Sequence, residues 1–162
     1  MITIRPANSQ DIDAIWAILK PIFRAGDTYA IDQDITQNAA IAFWAKGTHS
    51  AFVAHDAQNQ ILGTYYICAN QQGGGRHVCN CGFATAQGAQ GQGIAQHMLT
   101  HALATARQSN YEAMQFNFVV ESNAAALKIW HKAGFAEVGR LPNAFRHPKR
   151  GPTDALILYK SL

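Results

Sequence analysis

The sequence predicts one α/β (α+β) domain built on a mixed, mostly antiparallel sheet, and three observations carry that prediction. The chain is 162 residues long, the size of one compact domain with one core and too short for two. Its hydrophobic fraction of 48% is that of an ordinary globular protein, which excludes a disordered chain. Runs with a two-residue apolar period and runs with a helical period follow each other in the order βααβββαβαββ. That gives about seven strands and about four helices over residues 1–162, with no repeat or linker to divide them.

Taken in order, Ile2 and Ile4 alternate with polar neighbours as a first strand. The stretch from Pro6 to Ser9 then caps a helix carrying Ile12, Ile15, Trp16 and Leu19 at helical spacing,. Pro21 to Asp34 reads as irregular, a segment able to wall a pocket with Arg24, Asp27, Thr28 and Tyr29, and a short helix follows from about Thr36 to Ala45. Ser50–Asp56 and Gln60–Ala69 are β-branched and aromatic runs joined by Ala57, Gln58 and Asn59, a hairpin pattern,. The three glycines between Gln71 and Arg76 turn the chain into another strand, His77–Phe83,. Ile94 to about Gln108 is a helix with Ile94, Met98, Leu99, Ala102, Leu103 and Ala106 along one face, and Ala113–Val120 is the next strand,. A second amphipathic stripe, Ala126, Leu127, Ile129, Trp130 and Ala133, ends at Gly134, a C-terminal stop,. Phe135–Leu141 and Ala155–Lys160 close the chain as strands, with a polar, proline-containing loop expected between them.

Composition narrows the function classes. The net charge is 13 − 10 = +3, and the basic residues are scattered except at Arg146, His147, Lys149 and Arg150, unlike the basic stripe of a nucleic-acid binder. No apolar run reaches the ~18 residues of a membrane span, and the first ten residues lack a signal peptide's pattern. Cys68, Cys79 and Cys81 are too few for a disulfide scaffold, so the chain reads as soluble and cytoplasmic. His77, Cys79 and Cys81 could share one strand face, but their spacing is not that of a zinc site and a fourth ligand is not evident, so no metal is expected.

The chemistry concentrates after Gln87. A glycine-rich helix start exposes backbone N–H groups and the positive end of the helix dipole, which together suit a phosphate or pyrophosphate. The dinucleotide fingerprint begun at Gly91 fails at Gln96. The nucleoside-triphosphate loop begun at Gly88 reaches Gly93 but meets Ile94 where a lysine is required,. Phe83-Ala84-Thr85 followed by Gln90-Gly91-Gln92-Gly93-Ile94-Ala95 resembles the acyl-CoA-binding segment of the GNAT N-acetyltransferases, [QR]-x-x-G-x-[GA] at a helix start after a strand. A second superfamily segment is matched by Asn123, Ala126, Ile129, Trp130, Gly134 and Phe135. The strand and helix order is also that of the superfamily, so the resemblance spans essentially the whole chain. The run Gly139–Pro148, with Asp154-Ala155-Leu156 and the asparagines Asn80 and Asn117, is similar to a small-molecule subgroup that includes the yeast acetyltransferase for proline analogues such as azetidine-2-carboxylate.

The resemblance implies a GNAT fold whose sheet splays between His77–Phe83 and Ala113–Val120, with acetyl-CoA as cofactor. It implies that the backbone at Phe83, Ala84 and Thr85 lines the pantetheine. The amides of Gln90, Gly91, Gln92, Gly93, Ile94 and Ala95 would hold the pyrophosphate, and Asn123 would stand near the thiol, besides being a natural helix N-cap. A backbone N–H near Gly82 or Phe83 is the expected oxyanion donor. The slot in which many relatives carry an acidic tyrosine holds Trp130, whose indole is no practical proton donor. Asn80 and Asn117 are the candidates for orienting the acceptor or a water that serves as base, and Glu121 is the nearest carboxylate in sequence. The implied activity is N-acetylation of a small-molecule amine, amino acid or analogue, by direct transfer in a ternary complex. Its partner is that amine, and a homodimer stays open. Protein or peptide acetylation, a non-catalytic acyl-CoA-binding module and a redox nucleotide binder are the competing readings.

Overall fold

The computed structural model describes all 162 residues. Strands β1 (Thr3–Pro6), β2 (Ser50–His55), β3 (Ile61–Ala69), β4 (Val78–Thr85), β5 (Ala113–Val120), β6 (Ala136–His147) and β7 (Gly151–Ser161) form one seven-stranded sheet in the order β1-β2-β3-β4-β5-β7-β6. Every neighbouring pair is antiparallel except β4 and β5. Helices α1 (Ile12–Ala25) and α2 (Gln37–Ala45) cover one face, and α3 (Ile94–Gln108) and α4 (Ala124–Lys132) cover the other.

Period-two alternation sorts each strand's residues between two cores. Tyr65, Ile67, Cys79, Cys81, Met114 and Phe116 face α3 and α4, packing on Ile94, Met98, Leu99, Ala102 and Trp130,. Tyr66, Cys68 and Ala84 face the other way, onto Ile15, Leu19, Phe23, Ile41 and Trp44 of α1 and α2. The indole and hydroxyl drawn between α2 and the sheet are paired. Trp44 Nε1 donates to Thr64 Oγ1 at 3.0 Å, and that hydroxyl donates to the Phe52 carbonyl at 2.8 Å,.

Two expectations are corrected. Pro21 lies inside α1, which runs on to Ala25 and ends at Gly26 in a left-handed cap. The proline removes one helical hydrogen bond, but Phe23 sits one helical turn beyond Leu19 and is buried with it, so packing carries the helix past the break. The segment from Leu141 to Ala155 is also no loop. The β6–β7 hairpin continues through it with a register shift between Leu141 and Phe145. Pro142 falls in that bulge, where no ladder N–H is required, and Asn143, at φ +53°, donates its N–H to Asp154 at 2.9 Å,.

The entry to α1 is tied to β1 by Asp11. Its carboxylate accepts two bonds from Arg5 at 2.7 and 2.8 Å and one from the Asn8 N–H at 2.8 Å, completing a capping box with Asn8,. The Arg5 guanidinium holds the Asp11 carboxyl below the usual carboxylate range. A lowered carboxyl pKa stabilises the fold above the unfolded value near 3.9 and loses that contribution as pH falls through the folded value. Asp11→Ala is therefore expected to lower stability by about 2 kcal/mol at neutral pH, read as a fall in melting temperature that disappears in strongly acidic buffer.

Candidate active site

The sheet opens where its only parallel pair fails. β4 and β5 are joined at Val78–Ala113 and Cys79–Met114 and at no position beyond. Further out, β5 bulges between Phe116 and Val119 against β7. A cavity of about 910 Å³ fills the split, lined by β4 from Asn80 to Thr85, β5 from Phe116 to Val120, the turn before α3, the first turns of α4, and the α1–α2 segment.

Most residues singled out in the sequence line that one cavity. They are Asn80, Phe83, Ala84, Thr85, Gln90, Gly91, Gly93, Ile94, Ala95, Asn117 and Asn123. Gln92 does not line it. Its side chain turns back to the Gly88 carbonyl at 3.1 Å. Glu121 stands outside as well, in an exposed ion pair with Arg140 at 2.7 Å.

At one end of the cavity α3 begins at Gly93, which is left-handed at φ +78° and carries no side-chain cap. The first helical bond runs from His97 N–H to the Gly93 carbonyl at 3.0 Å. The N–H groups of the helix's first turn thus have no helical acceptor. A Cβ placed on Gly88, Gly91 or Gly93 would meet nothing within 4 Å. This cradle has open space where a side chain would project, donors aimed outward and a positive helix end, and so it fits the pyrophosphate of a coenzyme A cofactor.

The two sides of the split differ in chemistry. Toward α4, Trp130 packs between Phe83 and Phe116, with ring centroids 5.1 and 5.0 Å away, so the tyrosine slot of the family motif is part of an apolar wall. Asn123 caps α4 by accepting the Ala126 N–H at 3.4 Å. On the opposite face Asn80 is half-buried, and its side chain forms no hydrogen bond with the rest of the protein. Asn117 is held by two amides that sequence reasoning missed. Gln115 Nε2 donates to its Oδ1 at 2.9 Å, and its own Nδ2 donates to Asn70 Oδ1 at 2.6 Å. One N–H of Asn117 remains for a ligand. Asn70 follows β3 in a polar turn with no motif around it, whereas Gln115 shares the strand parity of Asn117, which was the available signal.

Gly82 and Tyr66 shape the floor between these faces. A Cβ on Gly82 would collide with the Tyr66 ring, whose Cζ stands 2.9 Å from that position, so the strand needs glycine there for the tyrosine to lie flat across it. Above them the Tyr29 hydroxyl bonds the Phe83 main chain twice, donating to the carbonyl at 2.7 Å and accepting from the N–H at 2.9 Å. The Phe83 groups expected to face a cofactor are thus held by a side chain of the α1–α2 segment.

Comparison with known proteins agrees with this architecture. The model of the acetyltransferase (GNAT) family matches residues 12–135. N-acetyltransferase aca1 from Schizosaccharomyces pombe is 27% identical over 148 residues, covering 82% of this chain and 71% of its own. A GCN5-related N-acetyltransferase from Kribbella flavida is 32% identical, covers 99% of this chain and 98% of its own, and superposes with a TM-score of 0.95. The Salmonella typhimurium protein yncA, solved with its cofactor acetyl-CoA, shares the fold at a TM-score of 0.83 and 18% identity, with 100% of this chain and 94% of that one covered.

Proposed function

The chain belongs to the GNAT acetyltransferase family, and on that premise we propose that its acceptor is the amine of a small molecule, acetylated directly in a ternary complex. It is an acyltransferase that uses acetyl-CoA. One observation carries the acceptor reading. On the face of the split that bears Asn80 and Asn117, the cavity is walled by the α1–α2 segment, Asp27 to Ile31, and by Phe43 of α2. Such a wall bounds the space beside the asparagines to the scale of an amino acid or analogue, where a peptide would need a groove running past it. Three unpaired, buried cysteines fit a reducing, cytoplasmic setting,.

When bound, the cofactor supplies an acetyl group activated as a thioester. The chain's residues do the rest. The amides around Gly91 to Ala95 hold the pyrophosphate, and Asn123 stands beside the arm near its thiol end. The main chain of Phe83 and Thr85 offers the edge of a broken sheet to the pantetheine, while the Phe83 N–H meets the oxygen on which charge develops. Asn80, with donors and acceptor unspent, and Asn117, fixed by Gln115 and Asn70, orient the amine or a water that takes its proton. Glu121, paired with Arg140 outside the cavity, has no part in this scheme.

Thiol release from acetyl-CoA tests the proposal, measured with azetidine-2-carboxylate, other proline analogues, methionine derivatives and phosphinothricin in parallel with peptides bearing free N-termini or lysines. Turnover confined to the small amines is expected. Faster release with peptides would replace the proposal with protein acetylation, and release with none would favour a non-catalytic acyl-CoA-binding module.

A further inference from the structure

Tyr29 reaches the centre of the split from a segment 54 residues before Phe83 in sequence. It satisfies the Phe83 C=O and N–H together, at 2.7 and 2.9 Å. Both groups belong to the edge that β4 turns toward β5, and in a closed sheet β5 would bond them. β5 has left by then, since no pair joins the strands beyond Cys79–Met114. The phenol therefore stands in for a missing strand at the place where the reaction needs donors. Its ring packs edge-on against Phe23 and Trp44, with centroids 5.6 and 5.9 Å away, so the hydroxyl is carried at the ring end that faces the split.

Resting on the transfer site proposed above, we infer that Tyr29 is a catalytic residue, whose O–H is a second donor, beside the Phe83 N–H, to the acetyl oxygen on which negative charge develops. In the ligand-free enzyme the phenol oxygen occupies the acceptor place on that N–H. During transfer the acetyl oxygen takes the phenol oxygen's place on the Phe83 N–H, and the displaced Tyr29 O–H swings from the Phe83 carbonyl to that same oxygen. The hydroxyl gives up no proton. The amine lone pair forms the C–N bond as the carbonyl pair moves onto oxygen. That pair re-forms the carbonyl as the C–S bond breaks and its electrons leave on sulfur, and the proton lost by nitrogen passes to water.

Burial pushes the Tyr29 phenol far above the ordinary tyrosine range, so it stays protonated, as a donor must, and is no candidate for a base,. Two donors converging on one developing oxyanion, beside the apolar wall of Phe83, Phe116 and Trp130, each count for more than in water,.

The test is Tyr29→Phe, which keeps the ring and its edge contacts, with melting temperature as the control for folding. Infrared spectra of acetyl-CoA labelled with carbon-13 at the acetyl carbonyl are expected to show the bound stretch at lower frequency than in water with the unsubstituted enzyme. Part of that shift should be lost in Tyr29→Phe. With azetidine-2-carboxylate as acceptor, kcat should fall about 10²-fold while acetyl-CoA affinity stays close to that of the unsubstituted enzyme. A carbonyl stretch indifferent to the substitution, or an undiminished kcat with tighter acetyl-CoA, would make the hydroxyl a mere placeholder and overturn the assignment. If the unsubstituted enzyme turns over none of the small amines tested, the acceptor reading fails alone, because the infrared comparison needs no acceptor.

Discussion

Gly93→Glu is expected to abolish measurable acetyl-CoA binding in a protein that still folds. The helix start at Gly93 exposes N–H groups that no side chain caps, and a Cβ there meets nothing within 4 Å. A glutamate would therefore project into the space assigned to the pyrophosphate and bring a like charge to it. The positive φ of 78° costs a non-glycine residue about 1–2 kcal/mol, which a domain of this size survives. Loss of the amide contacts, added to repulsion, should weaken binding by at least ~10²-fold, about 2.8 kcal/mol. Gly93→Asn separates the two effects, since asparagine tolerates the left-handed region without a charge, and it should bind with intermediate affinity. Calorimetry reads both variants, and near-normal affinity in folded Gly93→Glu would remove the pyrophosphate from this helix start.

Asn80→Ala should lower kcat/KM for azetidine-2-carboxylate roughly 10²-fold, because a misplaced acceptor loses the alignment that makes transfer effectively unimolecular. Acetyl-CoA affinity should not change. Asn80 lines the cavity and spends its amide on no internal partner, so its removal leaves no orphaned group inside the fold. Asn117→Ala should act in the same direction. Asn117 is also joined to Asn70 at 2.6 Å, so Asn70→Ala should reproduce a fraction of the defect without touching the acceptor. Asn123→Ala should do the opposite, weakening acetyl-CoA and removing the α4 cap, which is worth about 1 kcal/mol. Wild-type turnover in both strand variants would make these asparagines structural.

The strands and helices were legible because each buries one face, and burial writes its period into the sequence. The α3 stripe from Ile94 to Ala106 appears in the fold as read, and β3 falls within the aromatic run Gln60–Ala69. Reading failed where a local rule met a stronger tertiary one. Pro21 signals a break, yet Phe23 has a core to enter. Pro142 signals a loop, yet a bulge opposite Asp154 accommodates it. The glycine-rich start of α3 was legible as a turn into a helix, and its reading as a cofactor cradle came from the family resemblance. What could not be read is contact between distant segments. Nothing near Tyr29 points to Phe83, and nothing near Asn70 points to Asn117, because both meetings depend on where β4 and β5 part. Glu121 was the reverse case, close to the gap along the chain but turned away to Arg140.

A crystal structure of the acetyl-CoA complex would locate the cofactor outright. The pantetheine is expected between β4 and β5, bonded to the main chain at Phe83 and Thr85, with the pyrophosphate on the amides from Gly91 to Ala95. The Tyr29 hydroxyl should be released from the Phe83 N–H. A cofactor seated elsewhere, with the Tyr29–Phe83 pair intact and the split empty, would contradict this placement.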